Sequence, residues 1–108
     1  HVLATGYKPT LPFLPGRGSP GTALAFIASE HRQQQAQPRP SILVSADDGG
    51  FVDLQTPSGP LGWSYLKQRV VNSTGTIGTL AVADLTGDGA THFVVPLYAE
   101  NKVALYSL

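Results

Sequence analysis

Apolar residues along this chain fall in short runs, separated by clusters of glycine, proline and aspartate. Ser41–Ala46, Phe51–Gln55, Trp63–Val71, Thr79–Ala83, Phe93–Leu97 and Lys102–Tyr106 are rich in β-branched, aromatic and aliphatic side chains. Runs of that length and composition predict strands. Asp47-Asp-Gly-Gly50 lies between two of them, and Asp-Gly and Gly-Gly supply the positive φ angles of a tight hairpin. Thr56–Gly62 predicts a second turn. Thr22–Ala28 is compatible with a helix opening or a strand, and its composition matches Thr79–Ala83.

The remaining stretches are polar or rich in proline. Pro9, Pro12, Pro15 and Pro20 exclude a helix over residues 1–20 and disfavour a central strand. Leu11, Phe13 and Leu14 suit an extended arm packed on a neighbour, and a disordered leader fits equally. Residues 30–40, rich in glutamine, read as an exposed loop, where nicking concentrates.

The two halves align. Gly21-Thr22 matches Gly78-Thr79 at an offset of 57. Ile42–Val44 matches Phe93–Val95 at 51, and Phe51–Leu54 matches Val103–Tyr106 at 52. A repeat of about fifty-five residues is in the range of propeller blades. Trp63–Val71 then forms the fourth strand of the first copy, and the second copy ends after three.

Asp84-Leu-Thr-Gly-Asp-Gly-Ala-Thr-His92 lies between two of the predicted strands. Alternating oxygen donors followed by glycine can wrap a hard cation. It is not an EF-hand, because Val95 stands where the twelfth-position glutamate belongs and the flanks read as strands. Two readings fit. In one, Asp84, Thr86, Asp88, the Ala90 carbonyl and His92 surround calcium; in the other, Asp84 and Asp88 bond the turn's own backbone.

The stretch Leu80–Leu108 resembles an FG-GAP or VCBS repeat, the blade unit of integrin-like β-propellers and of many secreted propellers. Asp84, Asp88 and Gly89 match that motif; Thr86 replaces its usual Asn or Asp, and His92 its last Asp. The resemblance implies an all-β fold of about two four-stranded antiparallel blades, the last incomplete. The division is an arm over 1–20, a first blade over 21–72 and a second over 73–108. It also implies a calcium-type loop over 84–92 and a secreted, extracellular location. Propellers take four to eight blades, so the expected partner is the rest of a propeller, on a larger chain or on identical copies. The absence of an initiator methionine is read as a processed or fragmentary chain.

Composition narrows the function. Charged residues make up 13 %, against about 25 % in ordinary domains, and seven basic side chains balance seven acidic ones. No basic patch suggests nucleic acid and no apolar run spans a bilayer. With no cysteine there is neither a disulfide nor a thiolate zinc site. Asn72-Ser73-Thr74 is an N-glycosylation sequon.

Catalytic signals are sparse. Asp47 and Asp48 point to opposite faces of a strand and suit turn chemistry. Ser58 and Ser64 lack a nucleophile elbow, and Gly16-Arg-Gly18 is no nucleotide loop. His1 could chelate copper through its amine and ring, but the matching second histidine context is missing, and His31 reads as a solvated loop residue or a ligand contact. Trp63 and Tyr65, on one face of a regular strand, could stack on sugar rings or seal packing between blades. The expected function is a binding or structural module that completes a larger propeller, with carbohydrate as the candidate ligand. The alternative is part of a carbohydrate-active propeller enzyme (lyase, hydrolase or dehydratase) with its catalytic residues mainly in other blades.

Overall fold

The computed structural model describes residues 1–7, 19–28 and 38–108. Among them are seven strands and one short 3-10 turn: β1 Ala23–Phe26, β2 Ser41–Ala46, β3 Phe51–Pro57, β4 Tyr65–Asn72, β5 Ala81–Ala83, β6 His92–Leu97, the turn Tyr98–Glu100 and β7 Lys102–Ser107. They form two antiparallel up-and-down sheets, β1-β2-β3-β4 and β5-β6-β7. The fold is all-β, as the short apolar runs predict, and Thr22–Ala28 resolves as a strand. No helix among the described residues is long and apolar enough to cross a membrane.

Pairing register follows the side-chain alternation. In β2, Leu43 faces the second sheet while Ile42, Val44 and Ala46 face the opposite way. The two faces are kept apart because a strand's side-chain period is two. Between the sheets lies the main core of Leu43, Val52, Val71, Ile77, Leu80, Phe93, Val95 and Leu97, all buried. Phe93 is 1 % exposed and stacks on Tyr106 at 5.1 Å between ring centroids. Burying a side chain of that size stabilises the fold by roughly 2–3 kcal/mol.

The hairpin β2–β3 turns where the sequence predicts. Gly50 adopts φ +72° and donates its N–H to Ala46 O at 2.7 Å. A side chain there would strike the carbonyl of Gly75, so the position requires glycine for conformation and for space. Pro96 sits inside β6 yet breaks no ladder. Its carbonyl accepts from Gly78 N at 2.8 Å, and a residue's N and O point to the same side of a strand. The missing N–H therefore faces a stretch where β5, which pairs only with His92–Val94, does not reach.

The two sheets share their order and register. β6 starts 51 positions after β2, and the pairs Ile42↔Gln55 and Phe93↔Tyr106 keep that spacing on both strands. The third strand is thus displaced by 51 and not by the 52 read from sequence. Hydrophobic likeness of Phe51–Leu54 to Val103–Tyr106 misplaced it by one residue, since apolar matching ignores which face a residue occupies. β4 also differs: it begins at Tyr65, so Trp63 lies before the strand, in a bend.

The outer face of the first sheet is covered by the chain's own first residues. Tyr7, 6 % exposed, packs with Val44 and Ala46, with Ala4, Ile42 and Phe51 around them. Part of the expected arm therefore lies on its own sheet; its prolines 9, 12 and 15, with Leu11, Phe13 and Leu14, are outside the described residues. The outer face of the second sheet carries Ala81, Val94, Pro96, Val103 and Leu105, of which Val103 is 68 % and Leu105 54 % exposed.

Candidate functional site

Three places gather the residues singled out by sequence. The first is the turn after β5. Asp84 Oδ1 accepts from Gly87 N at 2.8 Å and Oδ2 from Gly89 N at 2.7 Å. Asp88 Oδ1 accepts from Thr86 Oγ1 at 2.6 Å and from Ala90 N at 2.9 Å. Gly89 has φ +86°, the left-handed conformation such a turn needs. The Gly89 amide, foremost, holds the Asp84 carboxyl below the usual carboxylate range, and the Thr86 hydroxyl does the same for Asp88.

Thr86, Asp84 and Asp88 share one exposed turn, and Ala90 enters it through its N–H. His92 does not join them. It is 4 % exposed, and its Nδ1 accepts the Leu85 N–H at 3.2 Å. The imidazole therefore braces the turn from inside. Among the described residues no three His, Cys, Asp or Glu side chains gather to hold a metal. The bonds that Asp84 and Asp88 make here are those of an Asx turn, with the turn's own backbone amides.

The second place, unsuspected from sequence, is a buried polar cluster under Tyr7. Its phenol donates to Asp53 Oδ2 at 3.0 Å and accepts from Gln55 Nε2 at 3.2 Å. Arg69 Nε meets Asp53 Oδ1 at 2.9 Å, with the guanidinium 3.5 Å from the Phe51 ring centroid. Lys67 Nζ donates to Thr5 O at 3.2 Å. Asp53 and Gln55 are each 1 % exposed. Burial, with the Asp53 hydrogen bond behind it, pushes the Tyr7 phenol up to about 12. The visible signal was the alternation Val52-Asp53-Leu54-Gln55 opposite Lys67 and Arg69, two polar residues on a face that would otherwise be apolar.

The third is an aromatic cleft of about 470 Å³ lined by His1, Leu3, Arg39, Ile42, Trp63 and Tyr65 among others. Trp63 is 73 % exposed and stacks on the His1 ring at 4.8 Å. Sequence placed Trp63 and Tyr65 on one strand face; they meet at the cleft from a bend and a strand end instead. The bend is prebuilt by Arg39. Its Nη1 donates to Ser58 O, Gly59 O and Leu61 O at 3.3, 2.7 and 3.3 Å, and Nη2 to Ser64 O at 3.0 Å. Ser58 N closes the bend on Ser64 O at 2.9 Å. The guanidinium lies 4.8 Å from the Tyr65 ring centroid, and Tyr65 Oη donates to Pro40 O at 3.1 Å.

The other candidates are placed as follows. Asn72 is exposed at the last position of the edge strand β4, with Ser73 Oγ bonded to Glu100 at 2.7 Å. Asp47 caps the β2 end, accepting from Ser45 Oγ, while its carbonyl takes Ile77 N at 2.9 Å. His31 lies outside the described residues. Comparison of the chain with protein families, with curated proteins and with solved structures finds no match.

Proposed function

We propose that this chain is a structural docking module, a portion of a secreted FG-GAP/VCBS-like propeller whose second sheet packs against a neighbouring sheet of the same kind. The observation that carries the reading is the exposed apolar face of β6 and β7. Val103 and Leu105 are more than half exposed there, beside Val94 and Pro96. A monomer rarely leaves such a contiguous face in water, and an apolar sheet face suits another sheet.

Two further observations support an occupant of like kind. The sheets share order and register, and they meet with the first strands, β1 and β5, in contact. One sheet of this pattern thus already packs on another inside the chain. The association is one-sided: residues 1–7 and the Tyr7–Asp53 cluster occupy the outer face of the first sheet. Whether the neighbour is a larger chain or an identical copy, it meets β6 and β7.

The test is the double substitution Val103→Lys with Leu105→Lys. Both side chains project into solvent, so the melting temperature should hold while association is lost. Association that survives both lysines would contradict the reading.

A further inference from the structure

Trp63 does no work in the core. It stands on a bend held by four Arg39–carbonyl hydrogen bonds, 73 % exposed, with the His1 ring stacked on the indole. A rigid loop that displays a large aromatic side chain to water, beside a cleft, has the form of a binding platform. The cleft lies on the outer face of the first sheet, away from the β6–β7 face, so its role is independent of the docking reading.

The lining selects the ligand. Arg39 has both Nη groups committed to backbone carbonyls, and no carboxylate is among the described lining residues. A cationic ligand thus finds no counter-ion among the described residues, and an anionic one finds a guanidinium whose Nη groups are already held by backbone carbonyls. Tyr65 has already donated its hydroxyl to Pro40 O. A proline-rich peptide needs several donors to its carbonyls along an aromatic groove, and here Trp63 keeps the free indole N–H while Tyr65 has none to give. What remains is a flat aromatic face, an apolar wall from Leu3 and Ile42, and the polar rim of the His1 imidazole. That combination suits a ring with one C–H face and equatorial hydroxyls. We propose that the Trp63 cleft binds one pyranose ring of a neutral oligosaccharide, stacked on the indole face opposite His1.

The chain contains a single tryptophan, so its fluorescence reports on this cleft alone. The full chain is titrated with cellohexaose, xylohexaose, mannohexaose and chitohexaose, and with a polyproline peptide. The expected result is a saturable emission shift with at least one oligosaccharide and none with the peptide. By calorimetry Trp63→Ala should bind that sugar about tenfold more weakly or not at all, the loss of one aromatic contact, with an unchanged melting temperature. No saturable response to any of the sugars would overturn the proposal. So would equal binding by Trp63→Ala, or saturation by the peptide alone, which would make the cleft a peptide groove.

Discussion

The phenol of Tyr7 donates a 3.0 Å hydrogen bond to Oδ2 of Asp53, a residue 46 positions further along the chain. That bond ties the first residues to the middle of β3 and closes one face of the first sheet. Asp53 is 1 % exposed, and its other oxygen is held by Arg69. A buried carboxylate is tolerable only with such partners.

Tyr7→Phe removes the donor to Asp53 and the acceptor of Gln55 while keeping the ring. It should destabilise the fold by about 1–2 kcal/mol. Asp53→Ala leaves Tyr7 and Arg69 without their shared partner and should be worse, about 2–4 kcal/mol. Urea denaturation measures both. Hydrogen exchange in Tyr7→Phe should show residues 4–7 losing protection before β6.

The same phenol makes stability depend on alkaline pH. Its folded value is about 12 against an ordinary 10.0, so the folded state favours the protonated form. The stabilisation is complete below pH 10 and is lost as pH climbs through about 12. A phenolate absorbance titration should show a late step that Tyr7→Phe deletes.

The Asp84 turn behaves oppositely. Both carboxyls are held below the usual range, so their contribution is complete above that range and disappears as pH falls through their lowered values. Asp84→Ala frees the Gly87 and Gly89 amides and should loosen the turn, lowering thermal stability more than Asp84→Asn. Calcium addition should leave the wild-type melting curve where it is. A clear upward shift with calcium would show that the turn opens to take the ion.

Much of this fold was legible in the sequence, and the failures share a cause. Strand positions and the Asp47–Gly50 hairpin followed from local chemistry: short apolar runs and glycines at positive φ. The carboxylates of Asp84 and Asp88 were equally visible, and the sequence offered two readings of them, because an Asx turn and a cation loop use the same side chains; the bonds to Gly87, Gly89 and Ala90 amides are those of the turn. The extent of β4 was overestimated at Trp63, since the capture of four carbonyls by Arg39, more than eighteen residues away, is a tertiary event. Tyr7 was hidden for the same reason. Its partner lies on a different element, and no local pattern announces a bond across 46 residues.

Gly50 offers a sharp check of the hairpin. Gly50→Ala combines a strained φ of +72° with a collision against the Gly75 carbonyl. Loss of roughly 2 kcal/mol or more is expected in a denaturant melt. Gly59→Ala, also at positive φ but in open space, should cost less.

The central claim is that the β6–β7 face exists to be covered, and sedimentation equilibrium of the full chain from micromolar to millimolar concentration tests it most directly. With no other partner present, that face should pair with itself. The account predicts a monomer–dimer equilibrium that Val103→Lys with Leu105→Lys abolishes and that Trp63→Ala leaves intact. A monomer across the whole range would contradict it, as would dimers indifferent to the two lysines.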